Sequence, residues 1–306
     1  MFSLIRFFEK KEYLNDFLNG HLYMNSLGHF WKMRQPNVQN DLLEGTIEIL
    51  SEERQEELYG SLLEDDFGSH ILLPPMNRLE GFQFVHVLCF YLHEYDPELR
   101  QAVVIPKRIR DFGKYAVRIR DMESFAKLLC DKIESENLYG TMGPVQYREP
   151  TEAIPYMDCF DKSIVHEDEH EWRFALIPDF ERAKKEAQYL RNKNARNIES
   201  HIIPSVYDKA IYFEVGNLRH LSEVLDADNL ISDVGATYGK GFKTVKELPY
   251  PWSNKKLQIE SKAKSFNIPY TLQENPDQYI GWTPREAFTR KVTEIDSGIK
   301  PILTIG

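Results

Sequence analysis

Residues 82–91 read FQFVHVLCFY, an apolar run that only a histidine and a glutamine interrupt. A strand with one face in water alternates apolar and polar side chains, whereas one buried on both faces does not, so this segment belongs at the centre of a sheet. The runs AVVIP (102–106) and YAVRIR (115–120) follow as further strands beside it. Between Asp121 and Asn137, Met122, Phe125, Leu129 and Ile133 recur at helical spacing behind an aspartate cap, which predicts one amphipathic helix packed on that sheet. GPVQYR (143–148) then returns as a strand.

Toward the N-terminus, residues 2–8 read as a strand. A short helix follows with Tyr13, Leu14, Phe17 and Leu18 on one face, stopped by Gly20, and HLYMNSL (21–27) is a second strand. TIEIL (46–50) is a strand and 51–66 a Glu-rich surface helix. Toward the C-terminus come the strand EHEWRFAL (169–176), a charged stretch at 180–200 read as a solvated helix or mobile insertion, the strand AIYFEV (210–215) and a helix from Leu218 to Leu225. The last part holds a helix at 253–267, a strand near 268–274 and a polar tail whose Gly and Pro leave its structure open.

Strands and helices interleave without a strict βαβ rhythm, so the expected class is α+β, with mixed, mostly antiparallel central sheets and peripheral helices. Residues 1–250 form the main domain and 251–306 a helix–strand extension packed on it. The 42% hydrophobic content, with 18 Phe, 16 Tyr and 4 Trp, is enough for a large core and argues against disorder. GATYGKG (235–241) lacks the Ser or Thr after lysine and the preceding strand of a phosphate loop, and reads as a turn.

Composition narrows the function. A net charge of −10 argues against coating nucleic acid by bulk electrostatics, leaving only a local basic groove, with 107–110, Arg118, Arg120 and 191–196 as candidates. The first twenty residues lack the apolar core of a signal peptide and no stretch has the length of a membrane span, so the expected location is the cytoplasm, without membrane contact. Cys89, Cys130 and Cys159 are widely spaced in apolar surroundings, as buried thiols are. The nine histidines show no HExxH or HxH spacing, so no metal site is expected, and no GxSxG elbow occurs.

Three constellations have chemical potential. NDLLEG (40–45) sets Asp41 and Glu44 three residues apart in a loop. On a strand, 169–176 would put Glu169, Glu171 and Arg173 on one face and His170, Trp172 and Phe174 on the other, as catalytic site or salt-bridged surface. There the two carboxylates would raise one pKa and Arg173 would oppose the rise. The opening strands bring Arg6, then Tyr23, Asn25 and Ser26, polar groups amid apolar runs.

Taken in order, GHLYMNSLGHF, NDLLEG, VLCFY, FGKYAVRI, GPVQY and EHEWRF resemble the pattern of the AbiGi-like abortive-infection proteins. They also resemble a related family of unknown function carrying an NDPxE loop, a CFS strand and an E-x-E-[WY]-R strand. The likeness spans roughly residues 1–215, with Leu42 in place of the loop proline and Tyr91 in place of the polar residue after CF. The layout is also similar, distantly, to the ADP-ribosyltransferase fold. That resemblance implies NAD as a substrate, with Arg6 on the diphosphate, Tyr23 stacked on nicotinamide, Asn25 and Ser26 beside them, and Glu171 as the catalytic carboxylate. It implies a bacterial phage-defence or toxin-type transferase with a nucleic acid or protein acceptor, held in check by an antitoxin or chaperone partner. Two other readings stand beside it: a non-catalytic antitoxin or sensor, and a metal-dependent nuclease built from Asp41, Glu44 and Glu171.

Overall fold

The structure is a computed structural model, and it describes residues 2–32, 46–49, 76–78, 80–96, 101–102, 105–148, 158–197, 207–226 and 283–296. The NDLLEG loop with Asp41 and Glu44, the surface helix expected at 51–66, GATYGKG and the elements expected at 253–274 lie outside the described residues.

The architecture is α+β, built on a nine-stranded sheet in which all pairings among the described residues are antiparallel. Its spine is β5 (His86–Asp96), the strand expected at the centre. β11 (Glu171–Ile177) runs along one edge, pairing Leu176 with His86 through Glu171 with Tyr91. Those registers leave the other edge of β5 to two strands that share it. β2 (His21–Ser26) takes only Val87 and His86, through Asn25 and Ser26. β1 (Phe2–Phe8) takes 91–94, from Ile5↔Tyr91 to Phe2↔Glu94. Between these registers, residues 88–90 have no strand on that edge among the described residues.

From there the sheet forks. β1 continues onto β7 (Tyr115–Ile119), which carries β13 (Ser222–Asp226), while β2 pairs with β12 (Ile211–Glu214). On the far side, β11 carries β8 (Tyr139–Pro144). Helix α1 (Lys11–Leu18) links β1 to β2. It ends at Gly20, whose φ of 92° suits glycine and whose missing side chain lets Gly216 approach.

Both faces of the spine are covered, which is why its sequence is apolar without alternation. Leu88, Phe90, Trp172 and Phe174 pack against Phe17 of α1 and against Phe125 and Leu129 of the helix Met122–Glu136, capped by Asp121 as expected. Phe90 is the hub, with Phe125 at 5.5 Å, Trp172 at 5.9 Å and Phe17 at 6.1 Å between ring centroids. On the opposite face, Val87, Ala175 and Ile177 meet Phe82, Ala183 of the helix Phe180–Asn197 and Phe288 of the helix Thr283–Asp296.

Several local expectations change. The charged stretch is a helix that docks by Ala183 and Ala187, so one side of it is core. Instead of a helix at 218–225 there is a short 3-10 turn, Arg219–Leu221, and then β13, because an open edge of β7 takes the segment and pairing overrides local propensity. GPVQYR breaks at Val145: its start ends β8, and Gln146–Arg148 leaves to pair in parallel with β10 (Asp161–Ser163). In AVVIP only 102 is described as strand, ending Gln101–Ala102, and a helical turn, Lys107–Arg110, follows.

Phe125 packs on the face of the sheet opposite Glu171. Phe125→Ala is expected to lower unfolding free energy by about 3–5 kcal/mol in a denaturant titration. A loss below about 1 kcal/mol would contradict this account of the core.

Candidate functional site

Where β1 and β2 part, a cleft of about 250 Å³ opens over β5. Arg6 enters it from β1, Tyr23 and Asn25 from β2, and Glu171 and Arg173 from β11, with Lys162 and Glu169 in its wall. Segments 165 residues apart in the chain therefore meet at one place.

Arg6 sits at the fork. Its Nη1 donates to the Cys89 carbonyl at 2.5 Å, a main-chain acceptor in the stretch of β5 that has no neighbouring strand on that edge among the described residues. The guanidinium carbon lies 5.7 Å from the ring centroid of Phe8 and 5.9 Å from that of Phe90. Burial lowers its pKa, while Cys89 and Glu171 pull the other way; an arginine stays charged regardless. No carboxylate among the described residues is within salt-bridge distance of it, so this cation faces the cleft without an ion-pair partner.

Glu171 is 6% exposed and Arg173 2%, side by side on the same face of β11. Arg173 grips the carboxylate with both arms, Nε to Oε1 at 2.8 Å and Nη2 to Oε2 at 3.0 Å, and its third nitrogen donates to the Cys159 carbonyl. Lys162 Nζ adds a contact to Oε2 at 2.9 Å and reaches Glu169 at 2.6 Å, while His166 Nδ1 meets the other oxygen of Glu169 at 2.8 Å. The main-chain N–H of Glu171 donates to the Tyr147 hydroxyl at 2.8 Å. Burial alone would push the Glu171 carboxyl up. Arg173 and Lys162, with hydrogen bonds from Arg173 and the Cys89 thiol, outweigh it and hold the group well below the usual carboxylate range. Burial, and next the Glu171 charge, push the Cys89 thiol far up, so it is a proton donor and no nucleophile.

The expected strand face is thus half right. Glu171 and Arg173 share a face, but it is buried, and Glu169 stands outside the strand at the end of a 3-10 turn, Ile164–Glu169. His170, in the left-handed region at φ 40°, makes the corner between turn and strand, and Lys162 bridges the two carboxylates. The competition between like-charge repulsion and Arg173 is settled by two cations on one carboxylate.

Tyr23 is 45% exposed, its ring 5.4 Å from that of Tyr212. Ser26 stays out of the cleft lining: fully buried, it accepts from the His29 N–H at the start of the helix Leu27–Trp31 and donates to the Tyr207 carbonyl, so its hydroxyl is spent on structure. Of the basic candidates, Arg118 is buried 3.6 Å from Glu223 and Arg108 pairs with Asp168. Lys162 and Tyr147 are site residues that sequence reasoning misses; the mixed segment CFDKSIV (159–165) carries no periodic signal that would single out its lysine. Among the described residues no group of three His, Cys, Asp or Glu is arranged to hold a metal ion, and no helix is long and apolar enough to cross a membrane. No protein-family model, curated protein or solved structure matches the chain.

Glu171→Gln leaves Arg173 with a neutral partner in a dry site, and a loss of about 3–5 kcal/mol at pH 7 is expected. Because the folded-state pKa is depressed, the carboxylate's contribution is complete above the unfolded value, near 4.3, and declines progressively below it, being lost in full only as pH falls through the far lower folded value. Urea titrations from pH 7 to 3 should therefore show the gap between wild type and variant narrowing below about pH 4 without closing; a constant gap throughout would contradict the assignment.

Proposed function

We propose that the chain is a bacterial phage-defence or toxin-type ADP-ribosyltransferase. In this reading the cleft takes the reacting half of NAD, and ADP-ribose passes to a nucleic acid or protein acceptor. The observation that carries it is the Arg6 guanidinium at the fork, held by the Cys89 carbonyl and without an ion-pair partner among the described residues, sharing one cleft with Tyr23, Asn25 and the ionised Glu171. Three cations, Arg6, Lys162 and Arg173, face two carboxylates there, so a chain of net charge −10 has a cleft biased toward an anion. The volume is below the ~300–1,000 Å³ of pockets that enclose a whole drug-sized ligand, which suits one half of a dinucleotide.

The chemistry follows from those groups. The bond between nicotinamide and ribose breaks with its electron pair going to the nicotinamide nitrogen. An acceptor oxygen or nitrogen bonds to the same ribose carbon and loses its proton. The transition state is oxocarbenium-like, and a carboxylate fixed in its ionised form stabilises it without reorganising. Arg6 is suited to the diphosphate through its remaining donors, and the exposed Tyr23 ring to stacking. The free thiols of all three cysteines agree with the cytoplasm as the working compartment, where an antitoxin or chaperone partner would restrain the activity.

One observation favours a second reading, a non-catalytic sensor or antitoxin: Arg173, Lys162 and the Cys89 thiol already engage Glu171, as a purely structural carboxylate would be engaged. For the metal-nuclease reading, Asp41 and Glu44 lie outside the described residues.

Purified protein incubated with labelled NAD and a cell extract should release nicotinamide and label a macromolecule. Arg6→Gln should cut the rate about 10–100-fold, the worth of a charge-assisted contact. NAD binding without nicotinamide release would turn the assignment to the sensor, and absence of both would overturn it. Arg6 is the better probe, since Glu171→Gln also removes a buried ion pair.

A further inference from the structure

The Glu171 carboxylate is saturated. An ionised carboxylate offers about four lone-pair positions. Four donors reach this one: Nε and Nη2 of Arg173 at 2.8 and 3.0 Å, Lys162 Nζ at 2.9 Å, and the Cys89 thiol. A ligand hydroxyl can bond Glu171 only where one of the four gives way.

The donors differ in what holds them. Arg173 is a planar fork with two nitrogens on Glu171 and the third on the Cys159 carbonyl, so releasing one bond disturbs all three. The Cys89 thiol sits on the spine strand, directly opposite Arg173 in the register. Lys162 is a compact ammonium on a flexible stem, and it already has a second seat. Its Nζ lies 2.6 Å from Glu169 Oε2, closer than to Glu171. Glu169 stands off the strand at the end of its 3-10 turn, with His166 Nδ1 on its other oxygen at 2.8 Å. Lys162, Glu169 and Glu171 are all buried, and all three line the cleft. A buried carboxylate is costly unless paired, and Glu169 is a second one held beside the first by the same cation.

We infer that Glu169 is a positioning residue that takes over Lys162: when a ribose enters the cleft, the ammonium passes wholly to Glu169, and the freed position on Glu171 Oε2 accepts a ribose hydroxyl. This rests on the dinucleotide reading of the cleft and supplies the step by which an engaged carboxylate becomes available. No proton moves, and Lys162 stays paired throughout. The rearrangement belongs to binding and precedes any bond cleavage.

Glu169→Gln keeps the shape of the side chain, removes its charge and leaves Lys162 on Glu171. Two effects then oppose each other. Loss of a negative charge from the cleft favours every anion, whereas a lysine retained on Glu171 obstructs the ribose. Affinities for ADP-ribose and pyrophosphate are measured by calorimetry on proteins shown by thermal melting to be folded. Glu169→Gln should bind pyrophosphate at least as tightly as wild type and ADP-ribose about tenfold more weakly. Lys162→Gln frees the position in advance. It should weaken both ligands through its lost charge while keeping the ratio of ADP-ribose to pyrophosphate affinity at or above the wild-type value, and it carries the test if Glu169→Gln does not fold. An unchanged or raised ratio in Glu169→Gln, or a lowered ratio in Lys162→Gln, would overturn the inference and leave the dinucleotide reading in place. Failure of the wild type to bind ADP-ribose would overturn that reading, and this inference with it.

Discussion

A strand inside a sheet has its main-chain donors and acceptors taken by neighbours on both sides, and a gap in that pairing must be closed by something else. Among the described residues β5 has such a gap at 88–90, because β1 and β2 share one of its edges and part before they meet. The Arg6 guanidinium enters it and binds the Cys89 carbonyl. The remaining features of the site follow from this fork: the cleft exists because two strands diverge, and a cation stands at its base because a carbonyl there lacks a strand partner.

The electrostatics of the opposite wall follow a different logic. Moving carboxylates and cations out of water costs several kcal/mol per ion, and close pairing must repay it. Glu171 is repaid by the two-armed grip of Arg173, by Lys162 and by the Cys89 thiol; Glu169 by Lys162 and His166. A core optimised for stability alone would place apolar side chains here. Retaining this cluster beside Arg6, which has no ion-pair partner among the described residues, gives the cleft a rigid, pre-oriented field, which is what binding or stabilising a charged species requires.

Much of this was legible in the chain itself. Unbroken apolar character marked 82–91 as the spine, the aspartate cap and periodicity located the helix of 122–136, and alternation put Glu171 and Arg173 on one face. What escaped depended on long-range partners. That Arg6 meets a carbonyl at residue 89, or that Lys162 folds back onto a carboxylate nine residues on, leaves no periodic trace. The edge strand at 222–226 passed for helix because its pairing with β7 lies a hundred residues away, and Ser26, polar in an apolar run, proved to be a helix cap.

A crystal structure of the protein grown with ADP-ribose tests the central claim most directly. The account predicts ligand density in the fork between β1 and β2, with a phosphate oxygen on Arg6 and the ribose on the side of Glu171. Density on another face of the sheet, or a fork closed by strand pairing across residues 88–90, would contradict it.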